Sequence, residues 1–207
     1  IMPSLVGSEM CIRDRLIIRI AFALYPRGEI KVDFTEKKLS SEPLYKSHFV
    51  AITRDRVQLP NGHISYRVVV NHSGAAAILA ITDQDEVILV KQYRYAVGQE
   101  LLEIPAGRLE LGEDPAVCAA REFAEETPYT AQKVELIQTF YSAPGYCSEK
   151  MYLYKAIGVE KNSQLSPDKD EFVEAELLSR SRTKTAIEHG QIKDLKTLFA
   201  LNLWLNH

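Results

Sequence analysis

Several features that would assign a chain of 207 residues directly to a functional class are scarce here. Its three cysteines form neither an even disulfide framework nor a metal-ligand spacing, which is typical of proteins from a reducing compartment. The longest apolar run, residues 16–25, contains Arg19 and is about half a membrane span. A net charge of −3 provides no general attraction to nucleic acid or to an anionic membrane. We therefore expect a cytoplasmic protein without nucleic-acid or membrane partners.

The first 31 residues are expected to be a leader that is not part of the native protein. Residues 4–14, SLVGSEMCIRD, match the translation of a transposon-type sequencing adapter. Residues 27–29 can be encoded by a purine-rich ribosome-binding sequence two codons before Val32, and GTG is a permissible bacterial start. We therefore exclude residues 1–31 from fold reasoning. A genuine amphipathic extension is the alternative, and the nucleotide sequence distinguishes the two.

The remainder contains short apolar segments separated by turn residues. Residues 49–72 predict a hairpin with Pro60-Asn61-Gly62 as its turn, and residues 75–95 predict a second hairpin around residues 83–85. Further strands are predicted at 100–107, 134–143, 150–159 and 173–179, helices at 114–127, 182–192 and 195–205, and a polar loop at 164–172. This order indicates an α/β sandwich with a mixed sheet, not a doubly wound parallel sheet.

Residues 121–129, REFAEETPY, crowd Glu122, Glu125 and Glu126 into five positions of a predicted helix. Residues three and four apart are neighbours on a helix, and like charges at these spacings each cost about 0.2–0.5 kcal/mol. A solvated acidic face is the ordinary explanation. We favour a site for Mg²⁺ or Mn²⁺, because the helix is otherwise apolar and hard divalent cations prefer oxygen ligands. Such ions position water and stabilise charge in phosphoryl chemistry.

The stretch GRLELGEDPAVCAAREFAEETPY, residues 107–129, resembles the Nudix box. That pattern is Gly, five residues, Glu, seven residues, then Arg-Glu-apolar-any-Glu-Glu-any-Gly-apolar. The matching residues are Gly107, Glu113, Arg121, Glu122, Phe123, Glu125, Glu126 and Tyr129. Pro128 stands where the family has glycine. Because proline fixes φ and removes a donor, Pro128 could shift the last turn and with it Glu126, and we expect reduced rather than absent activity at worst.

The resemblance implies roles for individual residues. Nudix enzymes hydrolyse a nucleoside diphosphate linked to another moiety and need a divalent metal. Glu122 and Glu126 would be the main metal ligands, Glu125 would assist, and the Ala106 carbonyl would add a ligand. Arg121 and Glu113 would orient this carboxylate cluster by hydrogen bonds.

From about residue 33 to 204 the chain is similar to the ADP-ribose pyrophosphatase branch of that family. Residues 92–107, QYRYAVGQELLEIPAG, resemble the stretch before the box, and residues 141–149, YSAPGYCSE, resemble the substrate loop. Pro144 follows Pro128 by sixteen residues, an offset associated with ADP-ribose specificity. For Pro144-Gly145 alone an ordinary turn is the alternative. The resemblance implies cleavage of ADP-ribose to AMP and ribose 5-phosphate.

Glu149, in the same loop, is the expected general base that activates the attacking water. Arg94 is expected to pair with a phosphate or ribose, and Arg67 and Glu103 to line the adenosine side. Plain surface charges at strand ends are the alternative for these three. His72 and His189 lack companion ligands and receive no metal role.

The first hairpin with its flanks, residues 45–73, resembles a small lobe through which this branch forms domain-swapped homodimers. We therefore expect an N-terminal β lobe at 32–73 that mediates dimerisation and a hydrolase domain at 74–207. Two alternatives stay open. The chain could be a hydrolase of another nucleoside diphosphate sugar or dinucleoside polyphosphate, or an ADP-ribose-binding module without turnover.

Overall fold

The computed structural model describes residues 33–47, 50–162 and 172–206. The expected leader at 1–31 and most of the loop expected at 164–172 lie outside these residues. No helix in the described ranges is long and apolar enough to cross a membrane.

The N-terminal lobe is an antiparallel sheet of three strands in the order β1-β2-β3. These strands are β1 (Lys37–Lys46), β2 (Val50–Gln58) and β3 (Ile64–His72). The predicted hairpin corresponds to β2 and β3, and Gly62 takes a positive φ of 84° in its turn. Strand β1 was not predicted, because all ten of its residues are exposed and show no apolar alternation. Its Pro43 lies at a register shift, which an edge strand tolerates.

Two further sheets form the main body. One has the antiparallel order β10-β5-β6, and the other has the order β7-β4-β9-β8, in which β4 and β9 are parallel. Their strands are β4 (Ala75–Leu79), β5 (Glu86–Arg94), β6 (Gln99–Glu103), β7 (Ala106–Arg108), β8 (Tyr129–Tyr141), β9 (Lys150–Lys161) and β10 (Val173–Ser179). The parallel pair makes the arrangement mixed, as predicted.

The prediction that residues 75–95 form a second hairpin is correct at the turn but wrong for the two strands, which do not pair along their length. Only Ile81 and Val87 pair across it, and the two strands then enter different sheets. Every residue of β4 is buried, and β4 is paired on both edges, with β7 and β9. Because both edges of β4 are paired, β5 cannot pair with it.

Helices cover the sheets on opposite sides. Helix α1 (Pro115–Glu126) packs Cys118, Ala119 and Phe123 on one face of β4, while α2 (Arg180–Glu188) and α3 (Leu195–Leu205) cover the other face. Successive residues of β4 alternate between these two cores. The architecture confirms the predicted α/β sandwich with a mixed sheet and N-terminal strands.

Candidate active site

Helix α1 begins and ends where local signals predict. The Asp114 side chain accepts a hydrogen bond from the Ala116 backbone N–H, and Pro115 occupies the first turn. Thr127 is extended, with φ −137° and ψ 157°, as expected for a residue before proline. The helix therefore stays regular through Glu126 despite Pro128.

The helix buries two of its three clustered glutamates. Glu122 and Glu126 are only 8% and 4% exposed, whereas Glu125 is half-buried. Burial of ionised carboxylates is costly unless charged or hydrogen-bonding partners compensate. A solvated acidic face does not describe this arrangement.

Arg121 supplies part of that compensation. Its Nη1 donates to Glu122 Oε1 and to Glu125 Oε2, each at 2.8 Å. Its Nε and Nη2 donate to the two oxygens of Glu113 at 2.9 and 3.1 Å. The hydrogen bonds from Arg121 lower the pKa of Glu113 to about 2, and those carboxylates raise the pKa of Arg121. Three carboxylates thus share one guanidinium, and the group remains negative when all are ionised.

The backbone before α1 lies directly against these carboxylates. The Ala106 N–H donates to Glu126 Oε2 at 2.9 Å. A Cβ on Gly107 would lie 1.8 Å from Glu122 Cδ, so only glycine leaves space for that carboxylate. Strand β7 carries both residues and is fixed by pairing with β4.

The oxygen-only donor set fits a hard divalent cation by its chemistry. Two structural features support this fit. The first is the space above Gly107 that holds the Glu122 carboxylate, which we call the Gly107 cradle, and the second is the excess of carboxylates over arginine. Within the described residues, no three acidic, histidine or cysteine side chains already converge as metal ligands. The ligand roles of Ala106, Glu122, Glu125 and Glu126 therefore stay predictions.

Arg94 and Glu103, both predicted to bind substrate, form an ion pair in which Glu103 is buried and the Arg94 side chain is 40% exposed. Arg94 Nε and Nη2 donate to the two Glu103 oxygens at 2.7 and 2.8 Å. Lys196 Nζ contacts Glu103 as well and lies 3.0 Å from Asp194. Burial raises the pKa of Glu103, but Arg94 and Lys196 outweigh it and lower that pKa to about 2.

Lys196 and Gln92 lie beside the predicted substrate residues and were not predicted from the sequence. A lysine in the first turn of a helix opposes the helix dipole, which was a signal that Lys196 has another partner. Gln92 lies two residues before Arg94, on the same face of β5. Its buried Oε1 has no hydrogen-bond partner among the described residues. A buried acceptor without a partner is suited to a hydrogen bond from a donor group on a ligand.

The remaining predicted residues lie on the N-terminal lobe and on the loop between β8 and β9. Arg67 contacts Glu36 at 2.5 Å, Ser65 and Tyr66, all within the lobe. Pro144 and Gly145 are exposed.

Glu149 lies beside His72, for which the sequence predicts no metal role. Their closest atoms, Glu149 Oε1 and His72 Nδ1, are 3.6 Å apart. The same Nδ1 accepts a hydrogen bond from the Gly74 N–H at 3.0 Å, so it does not donate to Glu149 in this arrangement.

Comparison with known proteins identifies the family. Residues 71–196 match the model of the NUDIX domain, and residues 36–70 match that of the nucleoside diphosphate sugar hydrolase N-terminal domain. A solved structure of an ADP compounds hydrolase superposes with a TM-score of 0.70 and covers 83% of this chain and 95% of that chain. At 22% identity this likeness shows the fold alone.

Curated relatives cover most of the chain. The methanol dehydrogenase activator of Bacillus methanolicus is 39% identical over 169 residues, which is 81% of this chain and 91% of that protein. The ADP-ribose pyrophosphatase of Bacillus subtilis is 38% identical, with 80% and 90% covered. The ADP-ribose pyrophosphatase of Mycobacterium tuberculosis is 40% identical, with 59% and 60% covered. The resemblance found in the sequence is confirmed, and the chain belongs to the Nudix family.

Proposed function

We propose that this chain hydrolyses the pyrophosphate bond of ADP-ribose to AMP and ribose 5-phosphate in a reaction that needs a divalent metal. The observation that carries the proposal is the buried carboxylate cluster of α1, against which the backbone at Ala106 and Gly107 is fixed. Relatives named ADP-ribose pyrophosphatase, at 38% and 40% identity, support the choice of substrate.

Mg²⁺, with Mn²⁺ as the alternative, is the cation that we propose for this cluster. Glu122, Glu125, Glu126 and the Ala106 carbonyl would hold it. When bound, such a cation neutralises developing charge on phosphoryl oxygens and lowers the pKa of a bound water. Arg121 keeps the carboxylates oriented through its bonds to Glu122, Glu125 and Glu113.

Arg94, Glu103 and Gln92 form the substrate side of the proposed site, together with Pro144 and Gly145 of the loop. The bond to Glu103 fixes the Arg94 guanidinium, whose planar fork suits phosphate or ribose oxygens. The buried Gln92 Oε1 offers an acceptor for a ribose hydroxyl or an adenine amino group. Arg67 is proposed to contact the adenosine side from the lobe.

Hydrolysis requires a base that takes a proton from water, and we assign this role to Glu149. The water oxygen forms a bond to one phosphorus, and the bond from that phosphorus to the bridging oxygen breaks. Glu149 takes the proton and later releases it to solvent, while the bridging oxygen leaves with the other phosphate.

We also propose that the protein is a cytoplasmic homodimer that associates through the lobe at residues 32–73. The alternating side chains of Ile64, Tyr66 and Val68 leave one face of β3 with exposed apolar groups. A Val68→Lys variant is expected to shift the dimer towards monomer in size-exclusion chromatography with light scattering. A parent protein that is monomeric at all concentrations would contradict the proposal.

The function is tested by AMP release from ADP-ribose with and without Mg²⁺. Glu122→Gln is expected to lower kcat at least about 100-fold, because a lost ligand removes several kcal/mol of charge stabilisation. Glu135→Gln, an exposed glutamate paired with Lys133, is the matched control and should retain kcat. Metal-independent turnover, or no turnover on any nucleotide, would contradict the proposal.

The same assay separates the alternatives. Faster cleavage of another nucleoside diphosphate sugar or a dinucleoside polyphosphate would change the substrate but keep the chemistry. Pro128 in place of the box glycine is the feature that favours a binding module, whereas the intact carboxylates argue against it. Tight ADP-ribose binding without AMP release would establish that alternative.

A further inference from the structure

The loop between β8 and β9 is paired with the end of β3, although the two are far apart in sequence. The Val70 N–H donates to the Tyr146 carbonyl at 2.7 Å, and the Ser148 N–H donates to the Val70 carbonyl at 2.9 Å. Val70 and Cys147 thereby form a parallel bridge. The N-terminal lobe thus reaches the loop that carries the proposed base.

A side chain reinforces this pairing. The Ser148 hydroxyl oxygen accepts a hydrogen bond from the His72 backbone N–H at 3.0 Å. Ser148 directly precedes Glu149, so this bond fixes the backbone immediately before the proposed base. Within the loop, the Tyr146 and Cys147 N–H groups donate to the Ala143 carbonyl at 3.1 and 2.9 Å.

The chain after Glu149 is fixed as well. Strand β9 begins at Lys150, and Met151 pairs with Ala75 of β4. Ala75 in turn pairs with Arg108, at the end of the strand that carries Ala106 and Gly107. Glu149 therefore lies between two fixed points, one on the lobe and one on the main body.

The His72 ring limits where the Glu149 carboxylate can lie. The side chain of His72 is only 12% exposed, and its Nδ1 is 3.6 Å from Glu149 Oε1. This distance is too long for a hydrogen bond, and the Nδ1 lone pair already accepts the Gly74 N–H. The two side chains are therefore in contact without a hydrogen bond between them.

We propose that the end of β3, residues 70–72, is a positioning element that holds Glu149 through the Ser148–His72 hydrogen bond. This inference rests on the function proposed above. The lobe then serves the reaction as well as association, because it fixes the loop on which the base lies. A displacement of about 1 Å in a catalytic group costs up to about 100-fold in rate, which makes such an anchor significant.

A double-variant cycle tests this role. Ser148→Ala removes the hydroxyl and is expected to lower kcat for ADP-ribose about tenfold at unchanged KM. Ser148→Thr keeps a hydroxyl at the same position and should restore kcat to within about twofold of the parent. Ser181→Ala removes an exposed hydroxyl that also has one hydrogen-bonded neighbour, Ser179, and is the matched control.

The decisive comparison repeats Ser148→Ala in a Glu149→Gln background. If Ser148 acts through Glu149, its removal changes kcat less than about twofold there, because coupled residues are not additive. A full tenfold loss in that background would overturn the positioning role, as would an unchanged kcat for Ser148→Ala in the parent.

Two outcomes separate this inference from the proposed function. A parent chain that hydrolyses ADP-ribose while the two substitutions act additively contradicts the positioning role alone. A parent chain without turnover on any nucleotide contradicts the proposed function. It also contradicts the positioning role of residues 70–72, because that role rests on the same reaction. Hydrogen exchange of residues 142–149 gives a readout besides activity, and an unchanged rate in Ser148→Ala would also overturn the anchor.

Discussion

Two clusters of arginine and glutamate differ in their charge balance. Around Arg121, three carboxylates contact a single guanidinium. Around Glu103, two cations, Arg94 and Lys196, contact a single carboxylate, and Asp194 completes the group at Lys196. The first cluster keeps an excess of negative charge when its carboxylates are ionised, whereas the second is neutral.

This difference predicts which cluster contributes more to stability and which contributes more to turnover. Removal of one member from a buried, balanced cluster leaves an uncompensated charge and destabilises the folded state. An excess of like charge costs stability by itself, and functional sites commonly bear that cost for a ligand. We therefore expect the Glu103 cluster to affect stability most and the Arg121 cluster to affect turnover most.

Glu103→Ala gives the largest expected change. It removes the buried carboxylate partner of Arg94 and Lys196 and should lower the free energy of unfolding by about 3 kcal/mol. The loss stays at the lower end for a buried pair, because the Arg94 side chain is 40% exposed and Lys196 keeps its contact with Asp194. Glu100→Ala, on the same strand, breaks the exposed pair with Lys91 and should lower the free energy of unfolding much less. Urea unfolding of both variants checks this, and equal losses would remove the distinction between the clusters.

The stability contributed by Glu103 should depend on pH. Its pKa is about 2 in the folded protein, against roughly 4.3 for an unfolded glutamate. A carboxylate whose pKa is lower in the folded state than in the unfolded state stabilises the folded protein at pH values above its unfolded pKa. This stabilisation is lost as the pH falls towards the folded pKa. The difference in unfolding free energy between parent and Glu103→Gln should therefore shrink by about 3 kcal/mol between roughly pH 5 and pH 2.

Glu113 loses stabilisation in the same pH window, because its folded pKa is also about 2. Because Glu113 is present in both the parent and Glu103→Gln, its contribution cancels from the difference between their unfolding free energies. If this difference in unfolding free energy stays constant with pH, the protonation of Glu103 is not coupled to folding.

Gly107→Ala should separate turnover from stability. The added methyl would lie 1.8 Å from Glu122 Cδ, so the flexible Glu122 side chain must move out of its place. We expect kcat to fall about 100-fold with little change in the melting temperature. Gly62→Ala is the converse control, because its φ of 84° predicts lost stability with kcat retained. The reverse pattern would contradict the role of the Gly107 cradle.

Pro128→Gly should have the smallest effect. Helix α1 already runs through Glu126, and Glu126 keeps its bond to the Ala106 N–H. We expect kcat to change less than about threefold, since Pro128 has not displaced a carboxylate. A larger gain in kcat would mean that the last turn is distorted in a way that limits activity.

Local signals predicted helix α1 and its carboxylates well. Asp114, Pro115 and Pro128 act on their own neighbours through capping and fixed φ, and the glutamate spacing follows from helical periodicity. The bounds found for α3, Leu195–Leu205, also agree with its pattern.

Contacts between distant residues were not predictable in this way. Lys196 and Glu103 are 93 residues apart, and no local pattern joins them. Strand β1 lacks apolar alternation, so only its pairing with β2 reveals it. The partners of β4 depend on β7 and β9, which explains why the predicted hairpin ends at its turn.

The most direct test of the account is a calorimetric titration of the protein with Mn²⁺, which needs no turnover. We predict saturable binding in the parent and a Kd at least about tenfold weaker in both Glu122→Gln and Glu126→Gln. Such a result would show that the excess carboxylates of α1 bind the cation. Equal Kd values in all three proteins would contradict the account.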